Sequence, residues 1–192
     1  MSTSPAYRLV LHPDDIYFSL SEWQPIVEAL QDVQFIGDPL VGQNGRRYLA
    51  GEHFLNFITF MGCSPYIAFE PPPDGSEDFC HLRFSNIYTH PEFRCASRNV
   101  FARCPRCGKR IQQWEAAITQ WRENPASSVM HCDKCNAGIS LYELGWRHGA
   151  GFARMFIDIY SIYPQEGIPT EPLLDLLEKV CGVRWGYFYT DN

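Results

Sequence analysis

Apolar and polar positions change their spacing several times along this chain, and each change marks an element. Residues 7–11, Tyr-Arg-Leu-Val-Leu, are dense in aromatic and aliphatic side chains and predict a strand. From 21 to 30 the apolar residues Trp23, Ile26, Val27 and Leu30 fall on one side of a helix, with Ser21 as its N-cap. Phe54, Phe57, Ile58 and Met61 repeat that spacing within 51–61, which predicts a buried helix ended by Gly62 and followed by a strand over 66–70. The proline-rich run 71–78 is a surface loop, and 79–88 reads as a strand pairing with 66–70. Ile111, Trp114, Ile118 and Trp121 recur at steps of three, four and three, one face of a helix that Asn124-Pro125 stops. Such a stripe normally packs inward, so both tryptophans read as core. Residues 154–163, rich in aromatic and β-branched side chains, predict a largely buried strand. Thr170 then caps a helix with Pro172 in its first turn, Leu173, Leu174, Leu177 and Val180 on its apolar face and Gly182 at its end, before a last strand over 183–189. Helices and strands are interspersed without regular β-α-β repetition, so the fold class is α+β.

Two cysteine pairs interrupt this pattern, Cys104-Pro105-Arg106-Cys107 and Cys132-Asp133-Lys134-Cys135. Two residues between paired cysteines let both thiolates converge on one ion at about 2.3 Å, and two pairs complete a closed tetrahedron, the arrangement of structural zinc. Gly108 follows the first pair and Asn136 the second. Glycine and asparagine are the residues that most easily take the left-handed backbone a tight metal loop requires. A lone redox pair needs no second copy and opens a helix after a strand, so the parallel loops favour one structural Zn2+ over a thiol-disulfide pair or redox iron. His131, beside Cys132, is an alternative ligand, though an exposed flanking histidine is the simpler reading.

Through these two five-residue runs, the stretch from about 101 to 141 resembles a zinc ribbon with rubredoxin-like knuckles. The resemblance covers about a fifth of the chain and implies a metal, not a function, since such ribbons serve nucleic-acid binders, enzymes and adaptors alike. The spacer 108–131, at 24 residues, exceeds the usual run of about 15–20 and accommodates the helix that carries Trp114 and Trp121. The expected organisation is a mixed sheet-and-helix body formed by 1–95 and 151–192, with a zinc-ribbon module, 96–150, inserted.

Charge sharpens this division. Residues 1–93 hold four basic and twelve acidic side chains, 94–154 ten and four, and 155–192 two and six, within a net charge of −6. Arg94, Arg98, Arg103, Arg106, Lys109 and Arg110 fall in seventeen residues free of Asp and Glu. Such a run seeks anions, either on the acidic body of its own chain or on a partner. A domain dedicated to nucleic acid is usually basic overall, so an acidic protein partner is the first expectation and nucleic acid the alternative.

The length of 192 residues, 45% hydrophobic and 15% aromatic, is enough for one good core and a small metal module. The first eleven residues lack a basic stretch followed by a sustained apolar run, and no segment approaches the roughly 18 apolar residues of a membrane span. A cytoplasmic protein without membrane association is therefore expected, and Cys63, Cys80, Cys95 and Cys181 read as small buried hydrophobes. Phosphate-cradling glycine loops, G-x-S-x-G and H-E-x-x-H are all missing. Cys63 with His53 or His81 as base would suit a nucleophilic site, but a buried structural cysteine is the simpler reading. Asp14-Asp15 are chain neighbours that point apart, so a solvated turn is expected there. The sequence thus describes a zinc-containing, non-enzymatic binding or adaptor protein. A nucleic-acid-binding ribbon is second, and an enzyme with structural zinc and a site in the body third.

Overall fold

The computed structural model describes residues 7–40, 46–61 and 67–191. Its strands and helices run β1 (Arg8–Pro13), α1 (Gln24–Asp32), β2 (Ile36–Pro39), β3 (Arg46–Ala50), α2 (Phe54–Phe57), β4 (Ile58–Phe60), β5 (His81–Phe84) and β6 (Glu92–Cys95). They continue with β7 (Ala102–Arg103), β8 (Arg110–Ile111), α3 (Trp114–Glu123), β9 (Val129–His131), β10 (Gly138–Ser140), a 3-10 turn (Leu141–Glu143) and β11 (Ala150–Ala153). β12 (Ile157–Tyr160), β13 (Gly167–Pro169), α4 (Glu171–Cys181) and β14 (Trp185–Thr190) complete an α+β architecture. No helix among the described residues is long and apolar enough to cross a membrane.

Six strands form the main sheet in the order β14-β1-β12-β5-β3-β2, every neighbouring pair antiparallel. Alternation along β1 sends Leu9 and Leu11 to one face, where they join Ile157 and Ile159 of β12 and Leu82 and Phe84 of β5. α1 covers that face with Ile26, Val27 and Leu30, and α4 with Leu173 and Leu177, so a single apolar core binds both helices to the sheet. On the opposite face Val10 and Phe188 meet Ala153 and Phe156, where the β6–β11 ladder lies across the sheet. β11 approaches closely: a Cβ at Gly151 would stand 2.8 Å from the Phe188 ring. A further cluster, with Ile111, Ile118, Trp121, Ile139, Leu141 and Trp146, packs around α3 and the two small hairpins β7–β8 and β9–β10.

The strand expected at 7–11 is β1, the helix expected over 111–121 is α3 from Trp114 to the Asn124 C-cap with Ile111 standing instead in β8, and the last helix is α4 with Gly182 left-handed at φ +73°. Two cap readings change. Trp23, not Ser21, occupies the α1 N-cap, and Thr170 holds the N-cap position of α4 without a side-chain hydrogen bond.

The buried helix expected over 51–61 is a single turn, α2, followed by the strand β4. The helix start is anchored, the N–H of Gly51 donating to Phe35 at 2.9 Å and that of His53 to Gln34 at 3.0 Å, and the part that is lost is the C-terminal half, 58–61. One turn alone does not recover the cost of helix nucleation, whereas 58–60 gain a ladder with β13, and Met61 is exposed. The backbones touch at Gly51, where a Cβ would sit 2.1 Å from the Gln34 carbonyl oxygen. Gly51→Ala should therefore destabilise the body by about 2 kcal/mol or more, measured by urea unfolding, because the obstructing atoms are backbone.

The strand pairing expected between 66–70 and 79–88 is also replaced. Residues 67–70 form no strand, and their backbone link to the second segment is the hydrogen bond from the N–H of Cys80 to Ala68 at 2.7 Å. β5 instead lies between β12 and β3.

Candidate metal centre

The cysteines sit on two hairpin turns built to one plan. β7 pairs with β8 on either side of 104–109, and β9 with β10 on either side of 132–137. In each turn the first cysteine's N–H closes the loop, Cys104 donating to Lys109 at 2.9 Å and Cys132 to Ala137 at 3.0 Å. The fifth residue's N–H returns to the first carbonyl, from Gly108 to Cys104 and from Asn136 to Cys132, both at 2.9 Å. That closure needs left-handed backbone, and Gly108 and Asn136 have φ +69° and +57°. Amide groups also point at the leading sulfurs: Arg106 and Cys107 at Cys104 Sγ (3.3 and 3.4 Å), and Lys134 at Cys132 Sγ (3.4 Å). Such donors stabilise thiolates.

The turns face each other. The four sulfurs of Cys104, Cys107, Cys132 and Cys135 all lie within 4.8 Å of one another, with Cys104–Cys135 and Cys107–Cys132 at 3.8 Å. A tetrahedron with metal–sulfur bonds of about 2.3 Å has edges of about 3.8 Å, so the set can hold one metal ion. All four cysteines are free, and 3.8 Å is far beyond a disulfide bond of about 2.05 Å. His131 is exposed on β9 and does not belong to this group.

Electrostatics distinguish the thiols. Desolvation opposes ionisation of Cys104, but the N–H groups of Cys107 and Arg106 outweigh it and hold this thiol at about 7. At Cys135 the Ala137 N–H favours the thiolate, yet desolvation and the three neighbouring sulfurs push it up to about 12. Without a cation, four adjacent sulfurs resist carrying charge together.

The scaffold behind the sulfurs is tied at several points. Cys104 and Cys132 are buried in the cluster with Trp121 and Ile139, whereas Cys135 is exposed. Arg103 and Gly145 exchange two backbone hydrogen bonds at 3.0 Å, joining the first hairpin to the segment after the second. Ser140 and Glu143 form a capping box on the 3-10 turn, and Trp121 Nε1 donates to the hydroxyl of Tyr142, within that turn, at 2.9 Å.

The six basic residues near the first knuckle occupy different settings. Arg94 turns toward the main sheet, donating to Asp158 at 3.1 Å and to the Tyr88 hydroxyl at 3.2 Å with its guanidinium over Phe156. Arg103 is half-buried and donates to the Gly108 carbonyl at 2.8 Å. Arg98, Arg106, Lys109 and Arg110 are exposed, Arg110 lying over Phe101 at 3.9 Å.

Cys63 lies outside the described residues. Of its suggested partners, His53 is exposed at the start of α2, while His81 is fully buried, stacked on Tyr160 at 4.2 Å, with Nδ1 donating to Phe79 at 3.0 Å. Burial lowers the His81 pKa and favours the neutral ring. Asp14 and Asp15 are exposed, and Asp15 accepts from the N–H of Tyr17 at 3.0 Å, as a turn requires. A cleft of about 740 Å³ is lined by Tyr7, Tyr163, Tyr187 and Tyr189 together with Arg98 and Arg147, with no cysteine among its described lining residues. Burial pushes the Cys80 thiol up to about 12. Cys80 should therefore resist iodoacetamide near neutral pH in the folded protein, and labelling as fast as that of an exposed thiol would contradict its buried position.

Compared with known proteins, the chain matches no family model, no curated protein and no solved structure.

Proposed function

We propose that this chain is a zinc-dependent binding protein, in which one Zn2+ held by Cys104, Cys107, Cys132 and Cys135 rigidifies a basic surface for an acidic protein partner. The observation that carries the zinc assignment is the 3.8 Å spacing of the sulfurs on two matched knuckles. Four thiolates leave no open coordination position, so the ion holds structure together and does no chemistry. Arg106, Lys109 and Arg110 project from the first knuckle into solvent, where they are free to meet carboxylates, and Arg98 adds a fourth exposed cation upstream. Arg94 is set apart by its bond to Asp158.

Metal analysis of the purified full chain should return one zinc per chain. The zinc-loaded protein should bind a Glu-rich peptide, and Arg106→Glu together with Arg110→Glu should abolish that binding without releasing zinc. Nucleic acid is the competing partner. Affinity for a single-stranded oligonucleotide that exceeds affinity for the peptide, with log affinity falling linearly in log salt, would replace the protein-partner reading.

A further inference from the structure

The sheet face turned away from α1 and α4 gathers arginines that the metal centre does not use. Register sets Arg8 of β1 opposite Tyr160 of β12, and Asp158 of β12 opposite Arg83 of β5, so all four side chains project from that face. β6 brings Arg94 against them and α3 adds Arg122 at the rim. These four arginines, with Phe93, Cys95 and Thr190, line a cavity of about 330 Å³.

Their charges are not balanced. Asp158, fully buried, accepts from Arg94 at 3.1 and 3.3 Å and from Arg83 at 3.3 Å, and one carboxylate can offset only one of the four cations. Glu77, the next carboxylate along the sheet, is paired with Arg47. Arg122 donates to the Phe93 carbonyl at 3.5 Å and pairs with no carboxylate among the described residues. Arg8 is the sharpest case. It is 7% exposed, its Nε is buried without an acceptor, and its guanidinium lies 5.1 Å from the centre of the Tyr160 ring with no ion pair to any described residue. A buried cation without a partner is costly, and a bound anion would remove that cost.

We propose that Arg8, Arg83, Arg94 and Arg122 bind a phosphoryl dianion, as inorganic phosphate or the terminal group of a phosphate monoester. Guanidinium forks match phosphate oxygens, and three uncompensated positive charges favour a doubly charged ligand over a carboxylate. The cavity equals roughly eleven water volumes at about 30 Å³ each, so a phosphoryl group leaves room for an attached organic moiety. The arginines converge on one concavity instead of tracking along an open surface, which favours a terminal phosphate over the singly charged diesters of a nucleic-acid strand.

Titration calorimetry on the zinc-loaded full chain tests this, with inorganic phosphate, glycerol 3-phosphate and a chloride control at matched ionic strength. Saturable binding of one phosphate or glycerol 3-phosphate per chain, with no response to chloride, is expected. The tighter of the two identifies the free ion or the ester as the ligand form. Arg122→Ala, at the exposed rim, should weaken binding about tenfold or more, and so should Arg8→Met. Arg8→Met also separates binding from structure. A ligand-binding Arg8 leaves the melting temperature of ligand-free protein unchanged or raised on replacement, because an uncompensated charge is removed, whereas a structural Arg8 lowers it. Phosphate binding no stronger than chloride, or affinity unchanged in both variants, would overturn the proposal. So would binding of an oligonucleotide by a chain that takes neither small phosphate.

Discussion

Replacing Cys107 with serine is expected to release the metal and unfold the segment around α3 while the six-stranded sheet persists. A ligand to zinc must be deprotonated, and a serine hydroxyl near neutral pH is not, so the variant offers three thiolates where four are needed. Structural zinc in small modules contributes on the order of 10–16 kcal/mol of apparent binding free energy, and Cys104 and Cys132 stand inside the apolar cluster with Trp121 and Ile139, so loss of the ion disturbs that cluster directly. The two sulfur-bearing turns have no covalent link, and their backbone closures hold each turn individually, not the pair to each other. Tryptophan placement makes the outcome readable, since Trp114, Trp121 and Trp146 lie in the cluster that holds Cys104 and Cys132, and Trp23 and Trp185 in the main core. Fluorescence from the first group should shift to that of exposed indole, and amide exchange should rise over 102–146 while β1 and β12 stay protected. A strong chelator should reproduce the same change in the unmodified chain. If Cys107→Ser keeps a full equivalent of zinc and an unchanged spectrum, the four-sulfur reading fails.

The next largest effect is expected at Asp158. This carboxylate is fully buried on a central strand and bonds two arginines that arrive from different parts of the chain, Arg83 on β5 and Arg94 on β6. Asp158→Ala would leave both guanidiniums facing Arg8 without their counterion. Arg94 cannot easily withdraw, because its plane lies over Phe156 at 4.1 Å and it also bonds the Tyr88 hydroxyl. Breaking a buried pair costs about 3–5 kcal/mol, and the partial hydration of both arginines places this case at about 3 kcal/mol. For a chain of this size that is a fall in melting temperature of about 6–12 °C. A loss below about 1 kcal/mol would mean that the ion pair contributes little to the fold.

Local signals place α1, α3, α4 and the strands β1, β12 and β14, but not which strands pair. Trp114, Ile118 and Trp121 announce α3 because a helix is sealed by contacts three and four residues apart, and Asn124-Pro125 acts on its immediate neighbours. The hairpin strands β7 to β10 are two or three residues each, too short for any period to emerge, yet their turns are marked by the cysteines. Residues 51–61 mislead because helical spacing is real there, while the competing ladder of β4 with β13 joins positions more than a hundred residues apart.

The amino-acid order alone determines the two cysteine knuckles, since each cysteine pair, its two spacing residues and the left-handed Gly108 or Asn136 are contiguous, and their chemistry is local. It also determines the α+β class and the basic stretch over 94–110. Only the tertiary structure decides that Arg94 leaves that stretch for Asp158, and that Arg8, Arg83 and Arg122, drawn from β1, β5 and α3, meet it around one cavity. Sheet register and packing bring those side chains together across the whole chain, and charge pairing acts through space, with no trace in the spacing of residues along the sequence.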